Sequence, residues 1–465
     1  MRASPRRLAH AIAATVLTAS CVSPVWSETL EQVYTLARDN DALLKSQAAQ
    51  AAANRETANI YRGALLPQAN FTRTTSDADY KIGGSSCRNA GGRCNNTDID
   101  SDKDTINVSQ TLFNVEQWYD FQRGKKVSEQ ADAQYAAHEL DLMVRTTEAY
   151  VNVLRTIDAY ETALAQEQAI ARQLEQAKQR FDVGLIAITD VHEAQAQFDI
   201  AHVQTLNTQG MVGIAFEAVQ VLTGQPLETI APLSDELPIK MPEPAAQAEW
   251  EALTLANNPD LAVSALAVEA ARNNTKARRA GHLPTLTGTY QHNNGETTTN
   301  YHPTRLNDDQ QGNVVAINFT MPLSSGGTVS ALRRQAYQQQ MASEEGHTNL
   351  TRNAVQQVRS YHLAVNTDIQ RVAADKQAIV SAQSALDATR AGYEVGTRNI
   401  VDVLDAEQRL YQAKYAHSSA RYQYIIDVLR LLQTAGTLSM DNLARFSQFL
   451  LADKSLSRSS YALSQ

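Results

Sequence analysis

"YEVGTRNIVDVLDA", Tyr393 to Ala406, interrupts a long run of helix-forming residues with a Val-Gly pair, then restarts it with two aspartates three residues apart. A closely similar phrase, "FDVGLIAITDVHEA", occupies Phe181 to Ala194, 212 residues earlier. A helix that stops at glycine and resumes within a few residues reads as the tip of a helical hairpin, because glycine accepts the backbone angles a sharp reversal needs. Two such phrases at a fixed offset indicate a duplication.

Other pairs keep nearly the same spacing. "LLPQANF" at Leu65 matches "HLPTLTG" at His282, with Pro67 and Pro284 217 apart, and "VSQTLFN" at Val108 matches "INFTMPL" at Ile317, 209 apart. The fall from 217 to 209 assigns eight extra residues to the first copy, in an interval that contains "CRNAGGRC", Cys87 to Cys94. Each copy reads as a helix (about Thr29–Gly63 and Ala248–Gly281), a strand, a polar loop, a second strand and a long helical hairpin. The strands are expected near 66–80 and 104–114, then near 283–297 and 311–323. In "NVVAINFTMPL", Val315, Ile317, Phe319 and Met321 share one face and Ala316, Asn318 and Thr320 the other. In the first copy Ile106, Val108 and Leu112 stand opposite Asn107, Ser109 and Thr111. The loop "GGSSCRNAGGRCNNTDIDSDKD" reads as exposed.

No proline occurs from Gln68 to Gln225 or after Pro322. Val115–Val183 and Thr328–Val395 are each nearly 70 residues of good helix formers, reaching about 100 Å at 1.5 Å per residue. The domain reading is a leader at 1–27, a first repeat at 28–225 with its hairpin at 115–223, a Pro-rich linker at 226–246, a second repeat at 247–436 with its hairpin at 326–435, and a C-terminal segment with a loose tail at 437–465.

The leader reads as an export signal. Arg2, Arg6 and Arg7 precede an apolar run from Leu8 to Ala19 that is too short to span a membrane as a mature helix. Cleavage could follow Ser27. Lipidation of Cys21 is the rival, although Thr18 stands where a lipobox would carry leucine, and Arg6-Arg7 gives twin-arginine export little support. Losing those three arginines takes the net charge from −9 to −12, a poor surface for nucleic acid. Past the leader no apolar run is long enough for a membrane helix. An exported chain of this kind is either soluble in the periplasm or inserted as a β-barrel.

Four strands with one apolar face have open edges that a bilayer does not tolerate, so membrane insertion requires more strands from other copies. A soluble four-stranded sheet on helices is the alternative. The helices argue further: a hairpin about 100 Å long cannot bury its stripe inside a compact domain and must lie along other long helices. No enzyme motif completes itself. "VHEAQ" at Val191 and "HELDL" at His138 each lack the second histidine of a zinc-protease helix, and nothing calls for a cofactor or a metal.

The two tip phrases, the Leu-Pro strand entries, "GHLPTL" and the order of elements resemble the TolC family of outer-membrane efflux and type I secretion channels, over Glu28 to about Leu450. The resemblance implies an α+β membrane protein. In it each chain supplies four β-strands to a trimeric 12-stranded outer-membrane barrel and its hairpins to a trimeric α-helical tunnel, with a small equatorial region. It implies an outer-membrane exit channel, not an enzyme, with a periplasmic adaptor and an inner-membrane pump of RND, ABC or MFS type as partners, set in outer-membrane lipid. A periplasmic adaptor or a structural coiled-coil protein is the alternative.

At the tips the resemblance implies carboxylate rings from Asp402 and Asp405, and a latch joining Thr189 and Asp190 of one tip to Tyr393 and Arg398 of the other. It also implies an adaptor-docking surface at Val183, Gly184, Leu185, Val395, Gly396 and Thr397. The plain alternatives are helix capping for the aspartates and turn geometry for the glycines. Cys87 and Cys94 depart from the family pattern. They read as a disulfide in an oxidising compartment, with free or metal-binding thiols as the alternative.

Overall fold

The computed structural model describes residues 28–81, 96–301 and 304–461. The leader, Cys21, Cys87 and Cys94 therefore lie outside the described residues.

The chain opens with α1 (Leu30–Asn40) and α2 (Ala42–Gly63), then β1 (Gln68–Lys81) and β2 (Asn96–Phe113). The first hairpin follows as α3 (Val115–Asp182) and α4 (Ile188–Thr223). After the linker strand β3 (Thr229–Ile230) the order repeats: α5 (Gln247–Asn257), α6 (Pro259–Ala280), β4 (Thr285–Tyr301), β5 (Thr304–Thr320), α7 (Thr328–Glu394) and α8 (Ile400–Thr434). The chain closes with α9 (Met440–Ser447), β6 (Leu456–Ser457) and a short 3-10 turn (Arg458–Tyr461).

Each repeat begins with two helices where the sequence suggests one. Asp41 is 3% exposed, and its carboxylate accepts the Leu44 amide at 2.9 Å while Arg145 approaches at 3.1 Å. Asn258 occupies the equivalent place 217 residues on. It accepts the Leu261 amide at 3.0 Å, donates to the Thr434 carbonyl at 2.8 Å, and is followed by Pro259. Both are capping residues inside a run of helix formers, and each restarts the helix in a new direction.

The sheet order is β1-β2-β4-β5, antiparallel throughout, so two β-hairpins lie side by side and β1 and β5 form its edges. Its register sorts the side chains. Phe71 pairs Ile106 and Ala69 pairs Val108. Tyr290 pairs Val315 and Leu286 pairs Phe319, all on the same face. A register shift between Thr111 and Phe113 lets Phe113 join Leu112 there, opposite Leu286. The reverse face carries Thr72, Thr105 and Asn293, then Thr289, Asn107 and Gln291. Val315, Ile317 and Phe319 stay largely exposed, so the apolar face has no cover within the chain.

The strands run beyond the expected limits. β2 starts at Asn96, not near 104, β4 runs on to Tyr301, and β5 starts at Thr304, not near 311. "DIDSDKD", Asp98 to Asp104, is strand although it reads as loop. There the face that is apolar lower down carries Asp98, Asp100, Asp102 and Asp104, and the period-2 signal disappears while the backbone ladder continues.

The main core lies midway along the hairpins. Leu142, Tyr150, Val153 and Ile157 of α3 meet Phe216 and Val219 of α4, Val365 of α7, and Ile425, Leu429 and Leu431 of α8. Linker and C-terminal segment wrap this level. β3 pairs with β6, Leu233 bridges Leu450, and the Tyr150 hydroxyl donates to the Ala231 carbonyl at 2.9 Å. The tail that reads as loose is therefore tied down as far as Tyr461, whose hydroxyl donates to Glu161 at 3.0 Å.

Candidate functional site

The two tips are built alike. α3 ends in Gly184 at φ +76° and α7 in Gly396 at φ +78°, and neither glycine has a neighbour within 4 Å of where a Cβ would stand. The backbone angle alone therefore requires glycine. The Leu185 amide donates to the Arg180 carbonyl at 2.9 Å, and the Thr397 amide to the Gly392 carbonyl at 2.8 Å. These are the six-to-one bonds of a Schellman motif, which satisfy carbonyls that the ending helix leaves free. Thr397 adds its hydroxyl to the same Gly392 carbonyl at 3.0 Å.

The restarts differ. α8 opens with a capping box: Asn399 accepts the Asp402 amide at 2.8 Å, and the Asp402 carboxylate accepts the Asn399 amide at 3.3 Å. α4 opens at Ala187 with no side-chain cap. Asp402 thus has a structural task, which is the plain reading of its position. Asp405, on the same side of the helix, is exposed.

The residues expected to form a latch stay apart within one chain. Arg398 lies against Asp402 of its own tip at 3.8 Å, and Thr189 reaches only its neighbour Asp190, at 3.5 Å. Tyr393 takes the Arg180 guanidinium over its ring at 4.7 Å, a contact between α7 and α3. Among the described residues no hydrogen bond or ion pair within the chain joins Thr189 or Asp190 to Tyr393 or Arg398. The apolar tip residues face outward: Val183 is 70%, Leu185 72% and Val395 75% exposed.

Just above the tips lies a node the sequence reading missed. Glu407 of α8 is fully buried; it accepts from Arg390 of α7 and lies 3.4 Å from the Gln173 amide nitrogen of α3. Its second oxygen and the Arg390 Nε are buried without partners. Beside them a cavity of about 710 Å³ is lined by Arg172, Gln176, Arg180, Arg390, Tyr393 and Val403. The signal was present: Glu407 interrupts the stripe of Val403, Ala406 and Leu410, which is buried against Leu386. The tips are further held by Ile170, Leu174 and Ala177 of α3 packed with Ile400 and Leu404 of α8.

Two long helical hairpins continuing a four-stranded sheet whose outer face is apolar define the class, a protomer of an outer-membrane channel. The chain belongs to the outer membrane efflux protein family, whose profile matches residues 33–225 and 251–437. It is 38% identical over 422 residues to outer membrane protein TolC of Vibrio cholerae, covering 90% of this chain and 92% of that protein. It is 30% identical over 418 residues to the alkaline protease secretion protein AprF of Pseudomonas aeruginosa, covering 87% and 84%. The fold superposes on the CmeC outer membrane channel of Campylobacter jejuni with a TM-score of 0.74 at 17% identity, covering 92% of this chain and 91% of that one. The protein is an outer-membrane efflux or secretion channel, in a family of channels and not of enzymes. The adaptor and coiled-coil alternatives fall away.

Proposed function

We propose that three copies of the chain form a passive exit duct, with a 12-stranded barrel in the outer membrane above a helical tunnel whose tips form its gate. The observation that carries this reading is the sheet itself. β1 and β5 are open edges and the outer face is apolar, a combination that a bilayer accepts only when the sheet is closed. Pairing β5 of one copy with β1 of the next closes it, and three four-stranded sheets give an even strand number.

At the gate, three-fold symmetry turns Asp402 and Asp405 into two stacked carboxylate rings, which would favour cations and bind multivalent ones. Capping and ring formation are compatible, since the Asp402 carboxylate that accepts the Asn399 amide stays part-exposed. The latch from Thr189 and Asp190 to Tyr393 and Arg398 is proposed between neighbouring copies, because within one chain these groups do not meet. Each such exposed contact contributes at most about 1 kcal/mol, weak enough for a partner to undo. Exposed Val183, Leu185 and Val395, with Gly184, Gly396 and Thr397 shaping the turns, are proposed as the docking surface for a periplasmic adaptor. The adaptor would couple the duct to an inner-membrane pump of RND, ABC or MFS type. The match to the outer membrane efflux protein family and the similarity to the secretion protein AprF support efflux and protein secretion alike.

Single-channel recording in a planar bilayer tests the gate. The wild type should give a small, cation-selective conductance blocked by multivalent cations, and Asp402→Ala/Asp405→Ala should lose both properties. A pore unchanged by that double substitution returns the two aspartates to capping alone. Arg398→Ser should raise conductance, and unaltered closure would remove the latch. Cross-linking from Leu185 to the adaptor checks the docking surface.

A further inference from the structure

The second hairpin buries a pair of acids far from the tips. Asp368 of α7 and Asp427 of α8 are 6% and 8% exposed and lie within hydrogen-bonding reach of each other. Asp368 stands 27 residues, about 40 Å of helix, above Val395. Val365, Tyr424, Ile425 and Val428 form the apolar surroundings. Asp427 accepts from the Gln423 amide at 3.1 Å, whereas Asp368 Oδ2 is buried without a partner.

Two cations of the packed elements act on the pair, Arg371 on Asp368 and Arg430 on Asp427, and each also has a partner of its own. Arg371 of α7 lies 3.6 Å from Asp375, and Arg430 of α8 holds Glu148 of α3 at 2.6 Å. Arg359 of α7 pairs with Glu251 of α5 at 2.8 Å, and Tyr361 lies near Arg430. Two ionised carboxylates facing each other in a core would suffer both mutual repulsion and desolvation, and a single proton between them relieves both.

We infer that Asp368 and Asp427 share one proton in the folded protein, and that its loss as the pH rises loosens α7 from α8, making the second hairpin a pH-sensitive element of the channel. The first hairpin has no counterpart: 212 residues earlier stand Thr156 and Ala215. Burial, then the hydrogen bond to Asp427 and its charge, push the Asp368 carboxyl from 3.8 to about 7, against the opposing Arg371. A folded pKa above the unfolded one means that the stabilisation is complete below 3.8 and is lost as the pH rises through about 7.

Hydrogen–deuterium exchange on the full chain in detergent, corrected for intrinsic rates, reads this directly. Between pH 6 and pH 8.5 about one unit of linkage remains, so exchange in 361–375 and 420–434 should quicken about tenfold. Asp368→Asn should abolish that change, leaving the first hairpin as in the wild type. Asp427→Asn, which keeps a donor facing Asp368, should do the same and serves if Asp368→Asn fails to assemble. Wild-type exchange that does not respond to pH, or a response that survives both substitutions, overturns the inference. Calcium protection at pH 8.5 that Asp368→Asn removes would assign the pair to a cation and overturn it equally.

Discussion

At Gly436 a Cβ would stand 2.1 Å from the Asn257 carbonyl oxygen, on a backbone already at φ +68°. Gly436→Ala should therefore cost about 3 kcal/mol, from backbone collision added to left-handed strain. Gly396→Ala meets open space and should cost only about 1 kcal/mol, from conformation alone. Thermal unfolding in detergent compares the two directly, and equal losses would refute the packing argument. At Arg390, truncation to alanine leaves Glu407 buried without its cation and should cost about 3 kcal/mol, much of it recovered by adding Glu407→Gln. Sequence pointed to the tip glycines because a break in a proline-free helix is a local signal. It gave no such warning at Gly436, whose constraint comes from a residue 179 positions earlier in the chain.

Among the elements, the helix restarts at Asp41 and Asn258 carry the angle between each repeat's opening helices. Asp41→Ala and Asn258→Ala should each cost about 1 kcal/mol through loss of the cap. Asp41→Ala also frees Arg145 from its ion pair. Guanidinium unfolding of the two variants beside the wild type checks this. The long helices and the lower strands were legible from period and composition. The upper strands were not, because beyond the apolar band both faces of β2 are wet and the alternation that marks a strand disappears. The latch residues were recognisable individually, but their partners within one chain proved to be Arg180 and Asp402, a matter of helix packing that sequence spacing does not encode.

For the whole molecule, the sheet's two faces should respond oppositely to charge. Ile317→Arg, on the apolar face, should cost about 2–4 kcal/mol of insertion, and Asn318→Arg, on the polar face, far less. The yield of heat-modifiable oligomer in outer-membrane fractions measures the difference. The amino-acid sequence alone determined the duplication and the hairpin tips, because these rest on repeats and turn chemistry, and the resemblance of its motifs pointed to the channel family. Only the tertiary structure decided which polar groups are buried together. Glu407 with Arg390, Asp368 with Asp427 and the tethered tail at Tyr461 each join segments that sequence order keeps apart, and the cost or gain of burying a charge depends on the partner that packing brings to it.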